Sequence, residues 1–155
     1  MKTLILYATK HGATKEIAER ISALIPDSIV CDLKSSGIPD VSEFDCVIIG
    51  GSIYAGSIRR ATKDFAAKNT DILLNKQIGL FVSSMTQGKY EQAFSTNFPA
   101  DLLSAAKATA NLGGIYDPGK AGFFERIIMR IVTKGSKYIS SISDVQIKLF
   151  VSALK

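Results

Sequence analysis

Apolar residues recur along this chain in two alternating rhythms, one of strands and one of helices. Residues 2–8 (KTLILYA) are a run of strand formers, the profile of a strand covered on both faces. Residues 9–14 (TKHGAT) are polar with a single glycine. From Thr14 the rhythm turns helical: Ile17, Ile21, Leu24 and Ile25 share a face, and Lys15, Glu16, Glu19 and Arg20 lie off it. Pro26 ends this helix, because the residue before a proline is pushed out of the α region. Residues 28–33 (SIVCDL) and 46–50 (CVIIG) read as the second and third strands, the third opening into a loop at 51–57 (GSIYAGS). Residues 60–69 suit a helix, with Ala61, Phe65 and the stem of Lys68 near one face. A fourth strand follows at 77–84 (QIGLFVSS), then a polar loop at 85–89. Residues 90–106 read as mostly helical, with Pro99 interrupting the helix or starting its second part. Residues 108–114 carry the weakest strand signal. Residues 143–154 form a closing helix in which Val145, Leu149 and Phe150 are apolar.

Strands alternating with helices through short loops imply an α/β fold, its parallel strands joined by right-handed crossovers. A length of 155 residues suits one domain, here residues 1–155. Residues 117–142 fit this scheme poorly, because the last strand and the closing helix need only a few residues between them. They are read as an insertion.

Apolar residues make up 46% of the chain and charged residues 21%, a globular balance. The net charge of +5 and a pI near 9.2 point to anionic partners. Nucleic acid is the least supported of these, since the chain carries no recognition-helix pattern and no aromatic RNA-binding signature. No apolar run approaches the roughly 20 residues that span a bilayer. The opening MKTLILYATK lacks the basic and apolar regions of a signal peptide. A cytoplasmic protein is expected, attached at most to the inner face of the cell membrane. Cys31 and Cys46 sit in apolar runs and read as buried, reduced core thiols. With no CxxC and no Cys/His cluster, no metal site is expected.

In an open parallel sheet, ligands bind beyond the carboxyl ends of the strands. The first such loop offers two threonine hydroxyls, a glycine and backbone N–H groups leading into a helix N-terminus. Donors and helix dipole together make a phosphate cradle. Walker A is absent, and so is the three-glycine dinucleotide fingerprint. A phospho-receiver site needs acids after the first strand and an aspartate ending the third. Those positions read Tyr7-Ala8-Thr9 and Gly50-Gly51-Ser52. A mononucleotide phosphate with no required metal remains.

TKHGAT resembles the flavodoxin phosphate loop, S/T-x-T-G-x-T: Thr9, Gly12 and Thr14 match, and His11 replaces the middle hydroxyl. The stretches GGSIYAGS and SSMTQGKY occupy the other two loops that family uses. The resemblance implies a flavodoxin-like five-stranded parallel sheet of order 2-1-3-4-5 with helices on both faces, and FMN as cofactor. It also implies that Thr9, Lys10, His11, Gly12, Ala13 and Thr14 surround the phosphate. Ser52, Ile53, Tyr54, Ala55 and Gly56 would flank the isoalloxazine, together with Ser84, Met85, Thr86, Gln87, Gly88 and Tyr90. Tyr54 and Tyr90 either stack on the ring or merely cover a core edge. His11 either adds charge near the phosphate or stands idle.

MKTLILYATKHGATKEIA, VIIGGSIYAGSIRRATKDFA and FFERIIMRIVTKGS are similar to the flavodoxin-type, menaquinone-dependent protoporphyrinogen oxidases of haem biosynthesis. The resemblance runs from residue 1 to about residue 153, and those enzymes carry a basic, aromatic and aliphatic insertion in the same place. It implies an enzyme in which flavin carries the chemistry, from porphyrinogen to quinone, with no protein catalytic residue. Arg59 and Arg60 would suit substrate propionates, or are solvated charges opening a helix.

If the insertion is helical, Phe124, Ile127, Ile128 and Ile131 share a face, and Arg126, Arg130 and Lys134 line up at i, i+4 spacing on another. Five basic residues and one acid lie between Lys120 and Tyr138. The stretch from Phe123 to Lys137 thus suits peripheral contact with an anionic membrane, or else caps the domain or a dimer partner. The rival function is a flavodoxin-type electron carrier between protein redox partners. Such carriers are usually acidic, which the charge of +5 opposes.

Overall fold

The computed structural model describes residues 1–86, 90–122, 125–127, 129 and 138–155. The first strand, β1 (Thr3–Ala8), is buried along its whole length, as its unbroken apolar run predicts. Helix α1 (Ala13–Leu24) follows and stops at Ile25, which the following Pro26 holds in an extended conformation. Then come β2 (Ser28–Asp32), a 3-10 turn at Val41–Glu43, and β3 (Cys46–Tyr54). Strand β4 (Ser57–Ile58) precedes helices α2 (Arg60–Lys68) and α3 (Thr70–Leu73). Strand β5 (Gln77–Ser83), helices α4 (Tyr90–Asn97) and α5 (Ala100–Ala105) and strand β6 (Ala108–Asn111) complete the main alternation. Two short strands, β7 (Ile115–Tyr116) and β8 (Ile139–Ser140), precede the closing helix α6 (Asp144–Ala153).

Strands β2-β1-β3-β5-β6 lie side by side in that order, all parallel. Numbered among these five strands alone, this is the expected order 2-1-3-4-5. The register places Ala8 beside Gly51, Ser52 beside Ser83 and Val82 beside Asn111. The carboxyl ends of four strands therefore fall in one row.

Alternate residues serve opposite faces. Leu4, Leu6, Val47, Ile49, Leu80 and Val82 pack against Ala66, Leu73, Phe94, Phe98 and Leu102 of α2–α5 and their connections. Ile5, Ile48 and Phe81 pack against Ile17 and Ile21 of α1 and Ile147, Phe150 and Val151 of α6. Thus β1 feeds a helix on one face and β3 a helix on the other. The crevice between their ends is the topological switch point. At Gly50 the sheet needs a bare backbone, since a Cβ there would lie 2.0 Å from the buried Phe81 ring.

Three expectations change. Residues 51–57 are not an open loop: β3 runs on to Tyr54 and turns back through a two-residue hairpin, pairing Ile53 with Ile58 and Tyr54 with Ser57. Ala55 (φ 49°) and Gly56 (φ 78°) take the left-handed conformations that such a hairpin turn requires. Cys31 is only half-buried, because β2 is an edge strand, whereas Cys46 in the central β3 is buried. The fifth strand stops at Asn111, whose side-chain oxygen accepts from Ser84 N–H (3.2 Å) and Gly113 N–H (3.2 Å) and turns the chain away. Pro99 begins α5 and so divides the 90–106 helix in two.

Beyond β6, β7 and β8 pair antiparallel and Ser141 N–H donates to Gly114 O (2.9 Å). The expected insertion therefore leaves and rejoins the domain at one point. Residues 125–127 within it are helical, and Arg126 N–H donates to Gly122 O (3.0 Å). The rest of the amphipathic pattern, including Phe124, Ile128, Arg130, Ile131 and Lys134, lies outside the described residues. Among the described residues no helix is long and apolar enough to cross a membrane.

Candidate functional site

The loop between β1 and α1 is shaped by Gly12, whose φ of 99° is a conformation open to glycine and strained for other residues. Gly12 N–H donates to Thr9 Oγ1 (2.9 Å), and Gly12 O accepts from Glu16 N–H (3.0 Å) to start the helix. Among the described residues no side chain caps α1, and the first N–H groups and positive dipole end of such a helix suit an anion. A Cβ at Gly12 would meet no protein atom within 4 Å. The glycine is needed for the bend rather than for room.

Beside this loop lies a cavity of about 360 Å³ at the switch point. Thr9, Lys10, His11 and Ala13 line it from the first loop, Ser52, Ile53, Tyr54 and Ala55 from the β3–β4 hairpin, and Ser83, Ser84, Met85 and Thr86 from the end of β5. The structure thus brings together residues from all three loops singled out in the sequence. Gly12 and Thr14 stand next to the cavity rather than in its wall. Gly56 and Tyr90 line a second cavity, of about 580 Å³, which shares Ile53, Ala55, Ser84 and Thr86 with the first. Gln87 and Gly88 lie outside the described residues.

Arg59 and Arg60 line neither cavity. Arg59 starts α2, and its N–H donates to Ser52 O (3.2 Å). The Arg60 side chain is 93% exposed and pairs with Asp64 one turn along (3.4 Å).

The fourth wall was not foreseen. Gly114, Ile115, Tyr116, Asp117, Ala121, Glu125 and Met129, from the chain beyond β6, also line the cavity. The one signal for them in the sequence is Glu125, the single acid in a basic stretch. Three hydroxyls around the cavity are buried with no partner among the described residues: Thr14 Oγ1, Ser52 Oγ and the Tyr116 phenol. A buried hydroxyl without a hydrogen bond is costly, so the arrangement suits a polar ligand that supplies the partners.

Lys10, His11 and Glu125 on the cavity wall are bonded to one another through the Glu125 carboxylate. Glu125 accepts from Lys10 Nζ through Oε1, while Oε2 meets His11 Nε2 at 2.9 Å and Gly122 N–H at 3.4 Å. Burial raises the Glu125 pKa, but the hydrogen bonds from Lys10 and His11, the His11 charge and Gly122 N–H outweigh it and bring it below the usual value. Lys10 Nζ also sits 4.0 Å from the centre of the half-exposed Tyr54 ring. Tyr90 packs edge-on against Phe94, with centroids 6.4 Å apart.

The pattern of the Flavodoxin domain matches residues 4–143. The chain belongs to the flavodoxin-domain family. Protoporphyrinogen IX dehydrogenase (quinone) of Escherichia coli K12 is 23% identical to this flavodoxin-domain chain over 146 residues, covering 88% of this chain and 81% of the relative. The protein of the same name from Leishmania major is 22% identical over 86% of this chain and 62% of its own length. Among solved structures, a Lactobacillus acidophilus flavoprotein in complex with FMN aligns with a TM-score of 0.58 at 20% identity, over 71% of this chain and 92% of that one. The Streptococcus pneumoniae TIGR4 flavodoxin aligns over 99% of this chain and 97% of its own, with a TM-score of 0.57 at 17% identity. These structural likenesses show the fold.

Proposed function

We propose that this flavodoxin-domain chain binds FMN at the switch point and works as an oxidoreductase that moves reducing equivalents from a porphyrinogen to a quinone. The observation that carries the cofactor is the uncapped α1 N-terminus flanked by the buried, partnerless hydroxyls of Thr14 and Ser52. A phosphate ester supplies what those groups lack: several acceptor oxygens and negative charge at the positive end of a helix. The cavity volume falls in the range of small-molecule sites.

When bound, FMN supplies the redox chemistry, taking hydrogens from the reduced substrate and passing electrons to the acceptor. The protein's own part is binding and orientation. Backbone N–H groups of the 9–14 loop and the Thr9 and Thr14 hydroxyls would hold the phosphate. Ile53, Tyr54 and Met85 bring apolar surface to the ring, and the Ser84 and Thr86 hydroxyls and the Tyr116 phenol offer hydrogen bonds to polar atoms. The β3–β4 hairpin presents Tyr54 to the cavity, and residues 114–117 line it from another side.

The names of the relatives support the substrate and the acceptor, and the net charge of +5 favours this reading over a carrier docking on basic reductases. The basic stretch from Phe123 to Lys137 would rest on an anionic membrane, the reservoir of a lipophilic quinone. The test is anaerobic oxidation of protoporphyrinogen by FMN-loaded protein, with and without menaquinone in anionic liposomes. Quinone-dependent turnover supports the enzyme. No turnover, with flavin that reduces and reoxidises reversibly, leaves a carrier between protein partners.

A further inference from the structure

Lys10 and His11 sit in the middle of the 9–14 loop and line the cavity, and one carboxylate takes up the polar ends of both side chains. Both are bonded to Glu125, 115 and 114 residues further along the chain. The Glu125 side chain is only 13% exposed and takes a third donor, Gly122 N–H. Lys10 stands at the same time over the Tyr54 ring. A continuous set of contacts thus ties the β3–β4 hairpin, the phosphate loop and the chain beyond β6.

We propose that Glu125 is a positioning residue: it fastens the segment beyond β6 to Lys10 and His11, so that this segment stands as the fourth wall of the cofactor cavity. The bond works in both directions. On the segment's side, Gly119, Lys120 and Ala121 N–H all bond Asp117 (2.9, 3.0 and 3.0 Å) in a local turn, and Gly122 N–H, next in the chain, donates to Glu125 (3.4 Å). Ala121 is buried and lines the cavity, so the Gly122–Glu125 bond holds the end of this turn beside the site. On the loop's side, the carboxylate takes up the Lys10 ammonium and the His11 ring nitrogen. The cradle is left to neutral donors, the backbone N–H groups and threonine hydroxyls. The flanking strands β7 and β8 pair over only two residues each, so the turn at 117–121 draws little support from them.

The inference that the wall retains FMN rests on the cofactor reading above; the fastening itself does not. The experiment therefore has two arms on the full chain. In flavin-free protein, amide exchange at residues 120–122 is followed by mass spectrometry for wild type, Glu125→Gln, Glu125→Asp, Lys10→Met and the Glu125→Gln/Lys10→Met pair. Exchange should quicken about fivefold in Glu125→Gln, the upper end for a partly exposed ion pair. The double variant should go no faster than the faster single, and Glu125→Asp should recover part of the protection. Added salt should speed exchange in wild type and not in Glu125→Gln, a response that packing alone does not produce.

In the holoprotein, FMN release should quicken by a similar factor in Glu125→Gln. Unchanged exchange in Glu125→Gln, or additive effects in the double variant, would overturn the proposal. Slower FMN release in Glu125→Gln would overturn it too, because the carboxylate would then be competing with the phosphate. If wild type does not bind FMN, the cofactor reading falls, while the exchange arm still decides the fastening.

Discussion

Thr14→Val separates the cofactor site from the fold that carries it. Thr14 is fully buried in the first turn of α1, and its hydroxyl has no partner among the described residues. Valine has nearly the same shape and lacks only the hydroxyl. A buried, unsatisfied polar group costs about 1–3 kcal/mol, so removing it should stabilise the flavin-free protein by about 1 kcal/mol. For a chain of this size that raises the midpoint of thermal unfolding by roughly 2–4 °C. FMN affinity should move the other way. A hydrogen bond to a charged group contributes about 1.5–3 kcal/mol, so the dissociation constant should rise about 10- to 100-fold. Riboflavin, which has no phosphate, should bind wild type and variant alike. Calorimetry of the flavin-free proteins and fluorescence titrations with both flavins give the three numbers. Equal losses for FMN and riboflavin, or a destabilised flavin-free variant, would show that the hydroxyl serves the fold and not the phosphate.

Gly50→Ala should cost about 2–3 kcal/mol in denaturant unfolding, as overpacked cores do, because its Cβ meets Phe81, itself packed edge-on against Phe150 (centroids 6.2 Å). Adding Phe81→Leu should recover part of that loss, and strictly additive losses would refute the contact. Burial pushes the Cys46 thiol up to about 11, against 9.0 when unperturbed. Between those values the native state holds a proton that the unfolded chain has released, so stability falls as pH rises through this window, by on the order of 2 kcal/mol. Cys46→Ala should flatten that slope relative to wild type, and an unchanged slope would rule out the thiol as its source. A thiol reagent near neutral pH should label half-buried Cys31 in the native protein and Cys46 only after unfolding.

The pattern of β1, the helical rhythm from Thr14 and the stop at Pro26 were legible because each depends on near neighbours: periodicity, a proline, a glycine bend. The glycine bend at residues 9–14 was legible for the same reason, since these residues are contiguous and their position after a buried strand follows from the alternation itself. The β3–β4 hairpin was not. Ala-Gly is a weaker turn signal than Asn-Gly, and pairing Tyr54 with Ser57 needs the sheet to carry β3 past its neighbours. Nor was the different burial of two cysteines in similar apolar runs, which depends on which strand ends at the edge.

By itself, then, the sequence determined the alternation of strands and helices, the glycine bend before α1 and the basic character of the late segment, all properties of local order and composition. Only the tertiary structure decided what completes the cavity. Parallel pairing sets Asn111 beside Val82, and the chain that leaves β6 there brings Tyr116 and Glu125 to the first loop. No local pattern encodes a bond between Lys10 and Glu125, because its partners become neighbours only when four strand ends are aligned in one row.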